Sequence, residues 1–77
     1  MYVYIIQRVV NHSFYTGMTS DIEKRILEHN SGKGTYTKKF MPWKLVYFEV
    51  CENRIAARKR EKYLKTTEGK ISVLKKG

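Results

Sequence analysis

The chain has 77 residues, 42% hydrophobic and 30% charged, with sixteen Lys and Arg against seven Asp and Glu for a net charge of +9. That length makes one domain, residues 1–77, burying roughly 60–65% of its unfolded surface, and the composition excludes a disordered chain. No apolar run approaches the roughly 20 residues of a spanning helix, MYVYIIQRV does not read as a signal peptide, and a lone Cys51 excludes an internal disulfide.

Tyr, Val and Ile dominate residues 2–9, which predicts a first strand. Asn11-His12-Ser13 supplies turn chemistry, and Phe14 to Met18 is expected to return as the second strand of a hairpin. Gly17, inside that return strand, predicts a bulge or a close backbone approach. Ser20 followed three residues later by Glu23 is a capping box for the first helix, and Asp21 adds negative charge at the helix N-terminus. Ile22 and Ile26 form its apolar stripe, and Asn30-Ser31-Gly32 stops it. Arg25 and His29, also four apart, flank that stripe, so both border the buried face.

Residues 32–42, GKGTYTKKFMP, read as a basic loop. Lys33, Lys38 and Lys39 interleaved with Tyr36 suit a phosphate backbone and stacking on bases; the plainer alternative is a solvated connection. Trp43 to Val50 is the third strand, and its Leu45-Val46-Tyr47-Phe48 run predicts a central strand buried on both faces. Cys51 reads as a small buried hydrophobe at the strand end, in a reducing cytoplasm. Asn53 caps a second helix to about Lys65, in which six cations, including Arg58 and Lys62, meet one acid, Glu61. Ala57, Glu61 and Leu64 share one side of it. Two readings of Glu61 stay open: an intrahelical ion pair with Arg58 or Lys65, or a carboxylate kept in a cationic cleft for a divalent metal. A short last helix would pack Ile71 and Leu74, with Gly69 weighing against it.

The order is therefore β-β-α-β-α with a short C-terminal helix, an α+β chain. Its excess of cations favours an anionic partner, nucleic acid first, and no membrane. Arg58 and Lys62 join the loop residues as candidate nucleic-acid contacts.

Tyr2-Val3-Tyr4 and Tyr15-Thr16-Gly17, followed by Asp21-Ile22-x-x-Arg25, resemble the paired signatures of the GIY-YIG nuclease superfamily. "FYTGMTSDIEKRILEHNSGKG", "LVYFE" and "AARKREKYLK" are similar in particular to the small stand-alone GIY-YIG proteins of bacteria, over residues 2 to about 66. These are relatives of the catalytic domain of the nucleotide-excision-repair endonuclease subunit. The resemblance implies a three-stranded antiparallel sheet flanked by helices. It also implies a metal-dependent endonuclease using one Mg²⁺ or Mn²⁺ on DNA, in repair or processing of structured substrates. It assigns catalysis to Tyr4, Tyr15, Arg25 and His29, and metal binding to Glu61. Gly17 is the motif glycine whose missing Cβ lets the first helix or the substrate come close. Two positions depart from the pattern: Tyr2 replaces the first glycine, and Met18 stands where the excision-repair members carry lysine.

Phosphodiester hydrolysis explains the residue types. It needs an activated water in line with the leaving oxygen and positive charge facing the developing anion. Arg25 can fork onto a phosphate, and either tyrosine can serve as base once cations favour its phenolate. The alternative is a non-catalytic module that keeps the fold and binds DNA or RNA, ribosomal RNA included. DNA ranks before RNA, and a protein partner or self-association would supply targeting.

Overall fold

A computed structural model describes residues 1–10, 12–31 and 42–74. The elements are β1 (Tyr2–Arg8), β2 (Phe14–Thr19), α1 (Ile22–Asn30), β3 (Trp43–Val50), α2 (Arg54–Leu64) and α3 (Thr67–Leu74). The strands form one antiparallel sheet in the order β2-β1-β3, an α+β arrangement.

β1, not β3, is the central strand. The Tyr-Val-Tyr-Ile-Ile run is buried almost completely from Val3 to Ile6 because β1 is paired on both edges and covered on both faces. β3 pairs with β1 alone among the described residues, and its apolar run splits. Val46 and Tyr47 pack inward, while Phe48 is half exposed and Val50 is 70% exposed. An apolar run marks a doubly covered strand only where the topology supplies both covers.

Alternation along β1 divides the core into two layers. Tyr4 and Ile6 face one way and pack with Trp43, Tyr15 and the Ile22–Ile26 stripe of α1. Val3 and Ile5 face the other way, against Ala57 and Leu64 of α2, with Met18, Val46, Val73 and Leu74 closing the layer. The hairpin register sets Tyr4 opposite Gly17 and Ile6 opposite Tyr15. Its turn is tied by Arg8 N–H donating to Ser13 O at 2.8 Å and His12 N–H to Arg8 O at 2.9 Å, with His12 at φ 63°.

Asp21, rather than Ser20, caps α1: its carboxylate accepts from Lys24 N at 3.1 Å. A charged acceptor at the positive end of the helix is favoured there. Thr19 Oγ1 in turn accepts from Asp21 N at 3.1 Å. Asn53 caps α2 as expected, accepting from Ala56 N at 2.9 Å.

α3 forms in spite of Gly69, and because of it. Gly69 is buried where α3 meets the end of α2, and a Cβ there would collide with the Tyr63 carbonyl. Close approach outweighs the helix penalty of glycine. Val73 and Leu74 carry the packing, whereas Ile71, expected to be buried, is 49% exposed. No helix among the described residues is long and apolar enough to cross a membrane. Cys51 is a free, half-buried thiol packed against the α2-side core.

Candidate active site

Tyr4 projects from the central strand toward α1, and its phenol fills the space over Gly17. A Cβ on Gly17 would lie 2.6 Å from the Tyr4 hydroxyl and 2.8 Å from Cζ. The close approach expected at Gly17 is therefore made by Tyr4 itself, not by the first helix. The antiparallel register explains this, since a bare backbone opposite Tyr4 lets its ring lie across β2.

His29, one helical turn after Arg25, is 1% exposed and is hydrogen-bonded through Nε2 to the Tyr4 hydroxyl at 2.8 Å. Burial pushes its imidazole down to about 4, the Arg25 charge adds to that, and Glu28 opposes it. The ring is therefore neutral at physiological pH. Tyr15 packs its ring edge to face with His29, centroids 5.2 Å apart, and with Trp43 at 6.2 Å. The imidazole thus lies between the two phenol rings, with the Tyr4 ring 5.8 Å away.

Burial raises the Tyr4 pKa above its ordinary value. Arg25 beside the phenol pulls it back down, while Tyr15 and Glu61 push it up. The net effect keeps Tyr4 protonated. Arg25 is also bound to Glu28 on its own helix, Nη1 to Oε1 at 3.1 Å.

Four of the expected residues, Tyr4, Tyr15, Arg25 and His29, thus gather on the α1 side of the sheet. Glu61 comes from α2, whose core side chains pack on the opposite face. Its charge nevertheless reaches the Tyr4 phenol. α2 packs against the edge strand β2 as well as β1, and Thr16 of β2 donates to the Leu64 carbonyl one turn beyond Glu61. The Glu61 side chain is 13% exposed, with Oε1 3.8 Å from Arg58 Nε and Oε2 3.5 Å from Lys65 Nζ. Both expected ion pairs are present, at distances beyond a good hydrogen bond.

Arg58 and Lys62 are exposed on α2. Lys33, Tyr36, Lys38 and Lys39 lie outside the described residues. Glu28 was missed in the sequence, although its i, i+3 spacing from Arg25 was visible there. A hollow of about 550 Å³ also went unforeseen; it opens beside Arg25 and is lined by Met18, Asp21, Lys24 and Arg54. Arg60 is engaged elsewhere, clamping Glu49 of β3 together with the Tyr47 hydroxyl.

Residues 1–75 match the GIY-YIG catalytic domain. A UPF0213 protein of Clostridium perfringens is 51% identical over 65 residues, 83% of this chain and 69% of that one. One from Haloquadratum walsbyi is 43% identical over 79 residues, covering 99% and 88%. The solution structure of a UPF0213 protein from Bacillus halodurans aligns with a TM-score of 0.57 at 34% identity, over 96% of this chain and 81% of that one. Motif residues gathered on one hairpin and one helix, a shared fold and these likenesses give one answer: the chain belongs to the GIY-YIG nuclease family, among the UPF0213 proteins.

Proposed function

We propose that the protein is a divalent-metal-dependent endonuclease that cleaves DNA phosphodiester bonds, acting on structured DNA in the cytoplasm. One observation carries this reading: Gly17 lets a buried phenol sit beside a neutral imidazole and a guanidinium, where the charge of a carboxylate on α2 still acts on it. Packing alone asks for no such gathering of polar and charged groups.

The acidic contribution is a single carboxylate, and no group of three or more His, Cys, Asp or Glu is assembled among the described residues. That donor set fits Mg²⁺ or Mn²⁺ held by Glu61, bound waters and a substrate phosphate, the usual manner of a small hard cation. When bound, the ion supplies positive charge to the phosphate and acidity to its waters. Arg25 forks onto the scissile phosphate, leaving Glu28 as it does so. Tyr15, only half-buried, is the candidate base: as a phenolate it would take the proton of the attacking water, and a solvent water would protonate the leaving oxygen. Tyr4, buried and with its pKa raised by that burial, serves with His29 to hold the geometry, the imidazole bracing both phenols.

The test is nicking of forked, flapped and single-stranded DNA with Mg²⁺ or Mn²⁺. Arg25→Ala is expected to lower the rate on the order of 10²–10³-fold. Glu61→Gln is expected to abolish metal dependence while DNA binding in EDTA persists. Full activity in both variants, or DNA bound and left intact by the unaltered protein with either metal, overturns the reading.

A further inference from the structure

Two hollows of about 550 Å³ each adjoin one another, both lined by Met18 and Arg54. The first is lined by Lys24 and Arg25 together with Met1 and Met18. The second continues over Met18 to Ile55, Arg58 and Lys59 on α2. Each is within the volume range of sites for small organic groups, about 300–1,000 Å³. Together they make one groove that starts at the candidate catalytic arginine and ends on the basic helix.

Met1, Met18 and Ile55 give the lining apolar surface, and Lys24, Arg25, Arg54, Arg58 and Lys59 give it positive charge. Ile55 is 72% exposed. Among the described residues no ion pair engages Lys24, Arg54 or Lys59. The two acids of the groove are occupied, Asp21 with the cap of α1 and Glu28 with Arg25. The groove thus combines cationic and apolar side chains in one lining.

A duplex turns its phosphates outward and hides its base faces, so it meets the cations and leaves the apolar side chains unused. An unpaired strand offers both: phosphates for the cations and flat apolar bases for thioether and aliphatic side chains. We propose that this groove holds an unpaired DNA strand and leads it to Arg25, so that the substrate is a single-stranded segment, such as a flap or the open arm of a fork. The inference rests on the nuclease reading for its DNA but concerns binding alone.

Fluorescence anisotropy in EDTA tests it with the full chain, using oligothymidine of about 12 nucleotides, a duplex of equal length and oligouridine. Oligothymidine is expected to bind about tenfold more tightly than the duplex. Ile55→Ser is expected to weaken oligothymidine binding about three- to tenfold without changing the salt slope. Arg54→Gln is expected to reduce that slope by about 0.7. Ile71→Ser, the same change at an exposed position on α3 away from the groove, is expected to leave binding unchanged. Equal or tighter duplex binding overturns the proposal, as does an Ile55→Ser protein that binds like the parent; tighter binding of oligouridine overturns the assignment to DNA. Loss of strand preference with metal-dependent nicking intact defeats the groove alone. Strand preference without nicking defeats the enzyme alone.

Discussion

At the residue scale, Tyr4 and Gly17 compete for one volume. Gly17→Ala would press a methyl against the phenol oxygen at 2.6 Å and against Cζ at 2.8 Å. It is expected to cost about 1–3 kcal/mol in urea unfolding, the usual penalty for overpacking. Adding Tyr4→Phe removes the nearer atom and should return part of that loss; a double variant no more stable than Gly17→Ala would contradict the contact. His29 has a different signature. Its pKa is about 4 in the fold against an ordinary 6.5, so the unfolded chain binds more protons between those values. Stability from this group is complete above about pH 6.5 and is lost as pH falls toward 4, on the order of 3 kcal/mol. Urea midpoints at pH 7 and pH 4.5 should therefore differ, and His29→Gln should narrow the difference; an unchanged difference would refute a buried neutral imidazole. The sequence placed Arg25 and His29 beside the apolar stripe through their spacing. It left the depth of His29 unread, since that depth comes from a sheet lying over α1.

At the scale of elements, all six were legible from composition and caps, and the errors share a cause. Ser20 and Asp21 both offered a cap, and only the chain path out of β2 determined which side chain reached the first turn. The third strand was read as central because its run is apolar, yet strand order depends on pairing between distant segments. Gly69 looked like a defect in α3 because its reason lies outside that helix, in the Tyr63 carbonyl of α2. Gly69→Ala is expected to lift α3 from α2 and expose the Val73 and Leu74 contacts, costing about 1–3 kcal/mol. Amide exchange should report it as faster exchange confined to α3 and the end of α2; a variant as stable as the parent would show that the approach is not tight.

Over the whole molecule, a net charge of +9 is unevenly useful. Arg60 is spent on Glu49, and Arg58 and Lys65 attend Glu61. Five cations line the groove, Lys24, Arg25, Arg54, Arg58 and Lys59, and Arg25 and Arg58 reach phosphate by exchanging Glu28 and Glu61 for it. At about 0.7 each they give a slope near −3.5, so affinity for an unpaired strand should fall on the order of 100-fold between 50 and 200 mM salt. A flat dependence in an anisotropy titration would show that these charges do not meet phosphates. The positive balance was plain in the sequence, but its alignment was not, because the groove joins residues from β2, α1 and α2.

The shared strand has a further consequence. Val3 and Ile5 anchor one layer while Tyr4 and Ile6 anchor the other, so β1 comes free only when both layers open together. The phenol of Tyr4 is mounted on this doubly covered strand, whereas the side chains of Arg25 and Glu61 are held only by exchangeable ion pairs along their own helices. The pocket therefore has one fixed post and two arms able to swing, and a substrate re-aims the arms without disturbing the post.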